Sequence, residues 1–460
     1  MRRCAALLAA AILAGCAQPR PFERPAAPVP RGWEEGGGGA RSAAELGWRE
    51  FFTDRQLRSL IEAALEHNRD LRIAVAQVEQ ARAASGLASA QRLPAIEAQA
   101  SENRALTPSD LSQTGRARTA SRYDLGVGIT AYELDFWGRV ARLDEAARAQ
   151  YLAAGHAQRS FRIGLIAEVA ASYLSLLELA ERESLAAQTV ASRGESLKLV
   201  RRRREAGLAT DLDLLAADAS LQAARAQLAE LRRQRAQAAN VLLLLTGMAG
   251  SPSPGRPLAA VELADLTPGL PSEVLLRRPD VMAAEERLIA AHASVEAARA
   301  AFFPRIALTA SLTTASAALS GLFGAGSGAW LFQPVLRTPL FDGGSTQANI
   351  DLAQARRVAA VAEYERAIQQ AFREVADALA ARRHLAEQLA HQEALAGAQR
   401  ERLARVEARQ RAGLASYLEV LDAERESFAA GQALASARRL ALAASVSLYK
   451  ALGGGADAAP

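Results

Sequence analysis

Two cysteines and five histidines are the side chains best suited to nucleophilic or metal chemistry in this 460-residue chain. His384 and His391 are seven residues apart and share a helix face, but no cysteine or carboxylate-rich surround accompanies them, so they do not form a metal set. No Gly-rich phosphate loop, nucleophile elbow or metal signature is present, and the chain does not read as an enzyme. Cys16 is different. Arg2 and Arg3 precede the short apolar run Ala5–Leu13, which closes on Leu13-Ala14-Gly15-Cys16. That run is too short to span a bilayer and suits a signal peptide, residues 1–15. The small residues before Cys16 read as a lipobox, in which the peptidase cuts and the thiol takes a diacylglycerol. Removal of the leader takes Cys4 with it, so the mature chain holds one acylated cysteine and no internal disulfide. Ala17, rather than an aspartate, follows Cys16, which points to the outer membrane of a bacterium. The lipid on Cys16 is the only non-protein group expected; no cofactor or metal is.

The rest of the chain is poor in chemistry and rich in helix. Half the residues are apolar but only 5% are aromatic, because alanine and leucine dominate, and the net charge is +5. Small apolar side chains suit long helices that approach closely. The run Arg201–Arg204 reads as the solvated last turn of a helix, where cations suit the dipole, and not as a nucleic-acid patch.

Proline and repetition map the organisation. Residues 16–47 are rich in Pro and Gly and read as a lipid-anchored tether. No proline occurs between Pro108 and Pro252 or between Pro339 and Pro460, so those windows can hold long helices. Residues 251–271, with SPSPGRPL inside, divide two halves that repeat. Leu71–Pro94 matches Val281–Pro304, and Ala206-Gly207-Leu208-Ala209 matches Ala412-Gly413-Leu414-Ala415. The first repeat, 48–250, reads as a helix near 55–93, strands near 94–107 and 121–134, a long helix 138–206 and a helix 210–247. The second, 272–455, has strands near 304–316 and 329–341, a long helix 344–412 and a helix 416–452, before a tail at 456–460. A helix of this longer kind spans about 100 Å at 1.5 Å per residue. Leu214, Leu221 and Leu228 recur every seven residues with Ala217, Ala224 and Leu231 between them, a helix–helix seam.

Four segments alternate with period two. Tyr123, Leu125, Val127, Ile129 and Ala131 share one face, as do Ile306, Leu308, Ala310 and Leu312, and Trp330, Phe332, Leu336 and Leu340. Ile96, Ala98 and Ala100 alternate more weakly. Segments of about 10 residues fit tilted strands crossing an outer membrane, but the alternation by itself favours a half-buried soluble sheet. Edges are not tolerated in lipid, and single-chain barrels begin at about 8 strands, so four spanning strands require several chains to share one barrel.

WREFFTDRQL (48–57), AYELDFWGR (131–139), LLRRPDVMAAEERLIAAHASVEAARAAFFPRIALTAS (275–311), PLFDGG (339–344) and AGLASYLEVLDAERE (412–426) resemble the TolC-like outer-membrane efflux proteins. With Cys16, the match is to the lipoprotein branch that serves resistance-nodulation-division (RND) pumps. The resemblance implies a mainly α protein with a small membrane β part. It implies a homotrimer sharing a 12-stranded β-barrel above a long periplasmic α-helical barrel, with the linker at an equatorial belt. It implies an exit duct for small molecules and drugs, with a periplasmic adaptor and an inner-membrane RND transporter as partners. The tip turns at Gly207, Leu208, Gly413 and Leu414 would meet the adaptor, and Leu418, Asp422 and Arg425, with Glu419, would form the periplasmic gate. Asp213 matches the acid that links neighbouring helices in the closed state. Ala415 stands where the family carries that acid's arginine partner, so another contact must hold the closed state. A metal-efflux or type I secretion duct has the same fold, although only three methionines argue mildly against soft-metal handling. A coiled-coil envelope lipoprotein without a pore is the rival of another class.

Overall fold

A computed structural model describes residues 21–30, 33, 46–248, 250, 255–266 and 272–454, and Cys16 and the leader lie outside the described residues. In chain order the elements are α1 (Trp48–Phe51), α2 (Arg55–His67), α3 (Arg69–Ala90), β1 (Ile96–Thr107), β2 (Arg118–Leu134), α4 (Arg139–Glu205) and α5 (Asp211–Thr246). They continue with α6 (Pro279–Ala300), β3 (Arg305–Ser316), β4 (Gly328–Arg337), α7 (Ser345–Arg411) and α8 (Tyr417–Ala451). The chain divides into two compact units, and α3, α4, α6 and α7 each contribute residues to both.

The first unit comprises Met1–Ala26, Val78–Ala154 and Ala284–Tyr364 and contains the whole sheet. Its four strands lie in the order β1-β2-β3-β4, all antiparallel, which leaves β1 and β4 as open edges. Residues paired across a ladder share a face. Ala98, Val127, Leu312 and Trp330 therefore form one apolar row, and Ile96, Ile129, Ala310 and Phe332 another. The opposite face carries rows such as Gln99, Gly126, Thr313 and Ala329. The apolar rows are uncovered: Ile96, Leu312, Trp330 and Phe332 are all exposed. Two details differ from the simple alternation. A bulge between Ile129 and Tyr132 puts Ala131 at a positive φ of 52°, so the apolar face resumes on Tyr132 and Leu134 rather than on Ala131. Leu340 lies beyond the end of β4 at Arg337. Beneath the sheet, Ala146 and Ala149 of α4 pack against Ala290 and Ala293 of α6, with Ile289 beside them. Trp137 stacks on Phe303, and its ring nitrogen donates to the Pro304 carbonyl at 2.8 Å. Of the tether, Arg24 pairs with Glu285 at 2.6 Å and Phe22 meets His292 edge-on.

The second unit comprises Ala27–Gln77, Gly155–Ala283 and Glu365–Pro460. Its core is the helix seam: Ala217, Leu221, Ala224, Leu228 and Leu231 of α5 are buried, at alternating spacings of four and three. Leu228 and Leu231 pack on Leu179 and Ala186 of α4, and Ala217 and Leu221 on Leu197 and Val200. On α7 and α8, Ala396 packs with Ala430 and Leu434. Residues 255–266 fold back on the first segment, where Phe52 bridges Leu263 and Thr53 donates to the Glu262 carbonyl at 2.6 Å. Phe51 stacks on Tyr449 with ring centroids 4.2 Å apart.

The single helix expected near 55–93 is two helices. Asn68 is extended (φ −60°, ψ 129°), and its side chain accepts from Leu71 N, capping α3, while donating to the Leu245 carbonyl at 2.9 Å. The repeat places Arg278 at the matching point, and it donates to the Ala451 carbonyl at 2.7 Å. Each repeat thus ties the start of a short helix to the end of its last helix with one buried side chain.

Candidate functional site

The turns that end α4 and α7 are built alike and both belong to the second unit. Gly207 (φ +74°) and Gly413 (φ +75°) take the left-handed conformation. Leu208 N donates to the Arg203 carbonyl at 2.7 Å and Gly207 N to Arg204 at 3.0 Å. Leu414 N and Gly413 N repeat this onto Arg409 at 2.8 Å and Gln410 at 3.0 Å. These are Schellman closures, which satisfy carbonyls at the helix end and favour glycine at the left-handed position. Leu208 and Leu414 project into solvent, 75% and 69% exposed, so each turn offers an apolar tip flanked by arginines.

A capping box follows each turn. Thr210 accepts from Asp213 N at 3.1 Å, and the Asp213 carboxylate accepts from Thr210 N at 2.9 Å; Ser416 and Glu419 do the same at 3.2 and 2.9 Å. Hydrogen bonds from the Thr210 side chain and backbone hold the Asp213 carboxyl below its ordinary range, and those from the Ser416 backbone and side chain do so for Glu419. Within the chain Asp213 is a capping acid, and Glu419 is its repeat counterpart at the start of α8. The reason is position: an acid three residues past the cap meets the backbone and hydroxyl donors of the cap residue. The signatures TDLD (210–213) and SYLE (416–419) were the signal.

Leu418, Asp422 and Arg425 lie on α8, and the structure brings the last two together. Asp422 Oδ1 accepts from Arg425 at 3.0 Å, and Oδ2 accepts at 2.8 Å from Arg402, a residue of α7 that sequence reasoning missed. Leu418 stands free at 74% exposure. Leu418, Asp422 and Arg425 line a cavity of about 450 Å³ together with Arg193, Ser220 and Phe428. Arg402 is visible only once the register of the α7–α8 hairpin, in which Ala396 packs with Ala430, is known.

Two buried acids tie α4 to α8 nearby. Glu424, 8% exposed, accepts from Ser192 Oγ at 3.1 Å and lies 3.9 Å from Arg193, and burial pushes its carboxyl above the ordinary range. Glu178 accepts from Ser436 at 2.6 Å and from Arg182 at 3.2 Å, and it also pairs with Arg439. Among the described residues no group of three or more His, Cys, Asp or Glu converges as a metal set. His384 lies 3.9 Å from Glu387, both well exposed.

Comparison with known proteins follows this geometry. The chain matches the family model described as outer membrane efflux protein in two segments, residues 60–248 and 270–454. It is 45% identical to outer membrane protein OprJ of Pseudomonas aeruginosa, covering 98% of this chain and 95% of that one. It is 42% identical to the solvent efflux pump outer membrane protein SrpC of Pseudomonas putida, over 98% and 97%. Among solved structures it resembles a membrane protein from Pseudomonas aeruginosa (TM-score 0.88, 44% identity, covering 94% and 99%). It also resembles the open state of the Neisseria gonorrhoeae MtrE outer membrane channel (TM-score 0.86, 36% identity, 95% and 98%). Two family matches, one to each repeat, together span most of the chain: it belongs to the outer membrane efflux protein family.

Proposed function

We propose that this chain is the outer-membrane exit duct of an RND-type tripartite efflux pump, through which small molecules and drugs leave passively. The observation that carries this reading is the sheet: four strands with an uncovered apolar face and two open edges. Lipid can cover the face, but unpaired backbone groups in hydrocarbon cost several kcal/mol each, so the edges must be paired. Pairing β4 of one copy with β1 of the next in a trimer gives a closed barrel of 12 strands. In this reading α4 and α7, each 67 residues and therefore about 100 Å long, form the wall of a periplasmic helical tunnel. The lipid on Cys16 anchors the tether to the same membrane. The exposed Leu208 and Leu414 at Gly207 and Gly413 meet the periplasmic adaptor, and the inner-membrane transporter supplies the energy, so the duct itself catalyses nothing and needs no cofactor.

Leu418 narrows the mouth of this tunnel as an apolar ring, and Asp422 and Arg425 form the charged ring beside it. Three Asp422 carboxylates around an axis repel one another, and the paired arginines offset that repulsion. Asp213 and Glu419 shape the turns that carry the gate. The test is conductance in planar bilayers together with a particle image of detergent-extracted protein. A threefold hollow particle whose conductance rises severalfold in Asp422→Ala is expected. A monomeric particle that leaves the bilayer sealed would overturn the reading.

A further inference from the structure

The two hairpins α4–α5 and α7–α8 are repeats, yet they are closed by different forces just inside their turns. In the first, Leu197, Val200, Ala217 and Leu221 form a buried apolar cluster. At the equivalent places the second has Leu403, Val406, Ala423 and Ser427, of which only Ala423 is buried. Ser427 takes the place of Leu221, and Leu403 and Ser427 border a cavity of about 380 Å³. Conversely, Arg402, Asp422 and Arg425 have Ser196, Ala216 and Ala219 as their counterparts, so the charged triad belongs to the second hairpin alone.

Within that triad the two arginines are not equivalent. Arg425 sits three residues from Asp422 on α8 and is shared with Glu426 at 3.2 Å. It travels with Asp422 wherever α8 goes and cannot fix it relative to α7. Arg402 comes from α7 and takes the other carboxylate oxygen at 2.8 Å. We infer that Arg402 is the positioning residue of the gate: it pins the Asp422 carboxylate to α7 and makes inside one hairpin the closing contact that Ala415 cannot make. This rests on the gate reading of Asp422. Both partners are partly solvated, at 46% and 41% side-chain exposure, so the latch is weak singly and sensitive to salt.

The test is planar-bilayer conductance of wild type, Arg402→Ala, Arg402→Lys, Asp422→Ala and the Arg402→Ala/Asp422→Ala double variant, in about 0.1 M and about 1 M salt, between which the screening length falls from about 10 to 3 Å. Arg402→Ala is expected to raise conductance severalfold, as Asp422→Ala does. The double variant rises no further than either single one, because one interaction is lost once. Arg402→Lys, which keeps the charge, stays near wild type. High salt raises wild-type conductance beyond the bulk-electrolyte ratio, and Arg402→Ala loses that excess. A general packing defect at position 402 would not reproduce this salt signature. Opening in Asp422→Ala with none in Arg402→Ala overturns the inference and leaves the gate standing. Additive effects in the double variant also overturn it. No opening in either single variant overturns both.

Discussion

Arg278→Met keeps most of the buried stem and removes the guanidinium. That group, 7% exposed as a side chain, grips Asp280 through two bonds of 3.0 and 2.6 Å, Glu374 at 2.7 Å and the Ala451 carbonyl at 2.7 Å. Breaking a buried ion pair from one side costs about 3–5 kcal/mol. Asp280 and Glu374 are 38% and 34% exposed, so water recovers part of their loss, and about 2–3 kcal/mol remains. The orphaned Ala451 carbonyl adds about 1 kcal/mol, for a total of about 3–4 kcal/mol. Asn68→Ala, at the equivalent point of the first repeat, loses one bond to the Leu245 carbonyl and one cap to Leu71 N, and costs about 1–2 kcal/mol. Thermal unfolding in detergent, followed by far-UV circular dichroism at one fixed scan rate, orders the three proteins. Wild type is highest, Asn68→Ala intermediate and Arg278→Met lowest, about 3–4 °C below wild type. An Arg278→Met variant within about 1 °C of wild type, or above Asn68→Ala, would refute the idea that this buried charge clamps the ends of the second repeat.

Glu424→Gln reports a pH dependence of unusual sign. Burial raises the folded-state value of Glu424 above its unfolded one, so the native chain holds that proton more tightly and the ionised carboxylate opposes folding at neutral pH. Acidification through the folded value relieves that opposition. The urea midpoint of Glu424→Gln is expected above wild type at pH 7, with the gap closing towards pH 5; a gap that widens on acidification contradicts it. Asp213 and Glu419, held low by their caps, contribute in the opposite sense, and subtracting the variant from wild type at each pH cancels them. Thr210→Ala and Ser416→Ala each remove one capping box and cost about 1 kcal/mol. Their effects add, because the boxes share no partner, and amide hydrogen exchange in the first turns of α5 and α8 speeds up accordingly.

Much of this molecule was legible because it is local. Proline-free windows hold the four longest helices, since a helix interior excludes proline whatever surrounds it. The glycines of both AGLA stretches take the left-handed cap, a demand made by four or five consecutive residues. The heptad leucines Leu221 and Leu228 of α5 are buried because a stripe at that spacing has one face to hide. Cys16 is an expectation of the same local kind, on residues outside those described. The capping boxes of Asp213 and Glu419 are equally local, set by residues three apart.

What the chain alone left open depends on distances between residues far apart in sequence. Asn68 breaks a helix whose periodicity runs straight through it, because its side chain has a carbonyl of α5 to satisfy. Ala131 leaves the apolar face because β2 needs one residue more than β3 at that point, a count that only pairing reveals. Arg402 meets Asp422, and Arg278 meets Ala451, through the register of one helix against another. Composition and periodicity determine which elements form and which faces must be covered, since both follow from a few neighbouring residues. Which charged group faces which is decided by the tertiary structure, because a rotation of one helix by a single residue turns a side chain about 100° and gives it a new partner.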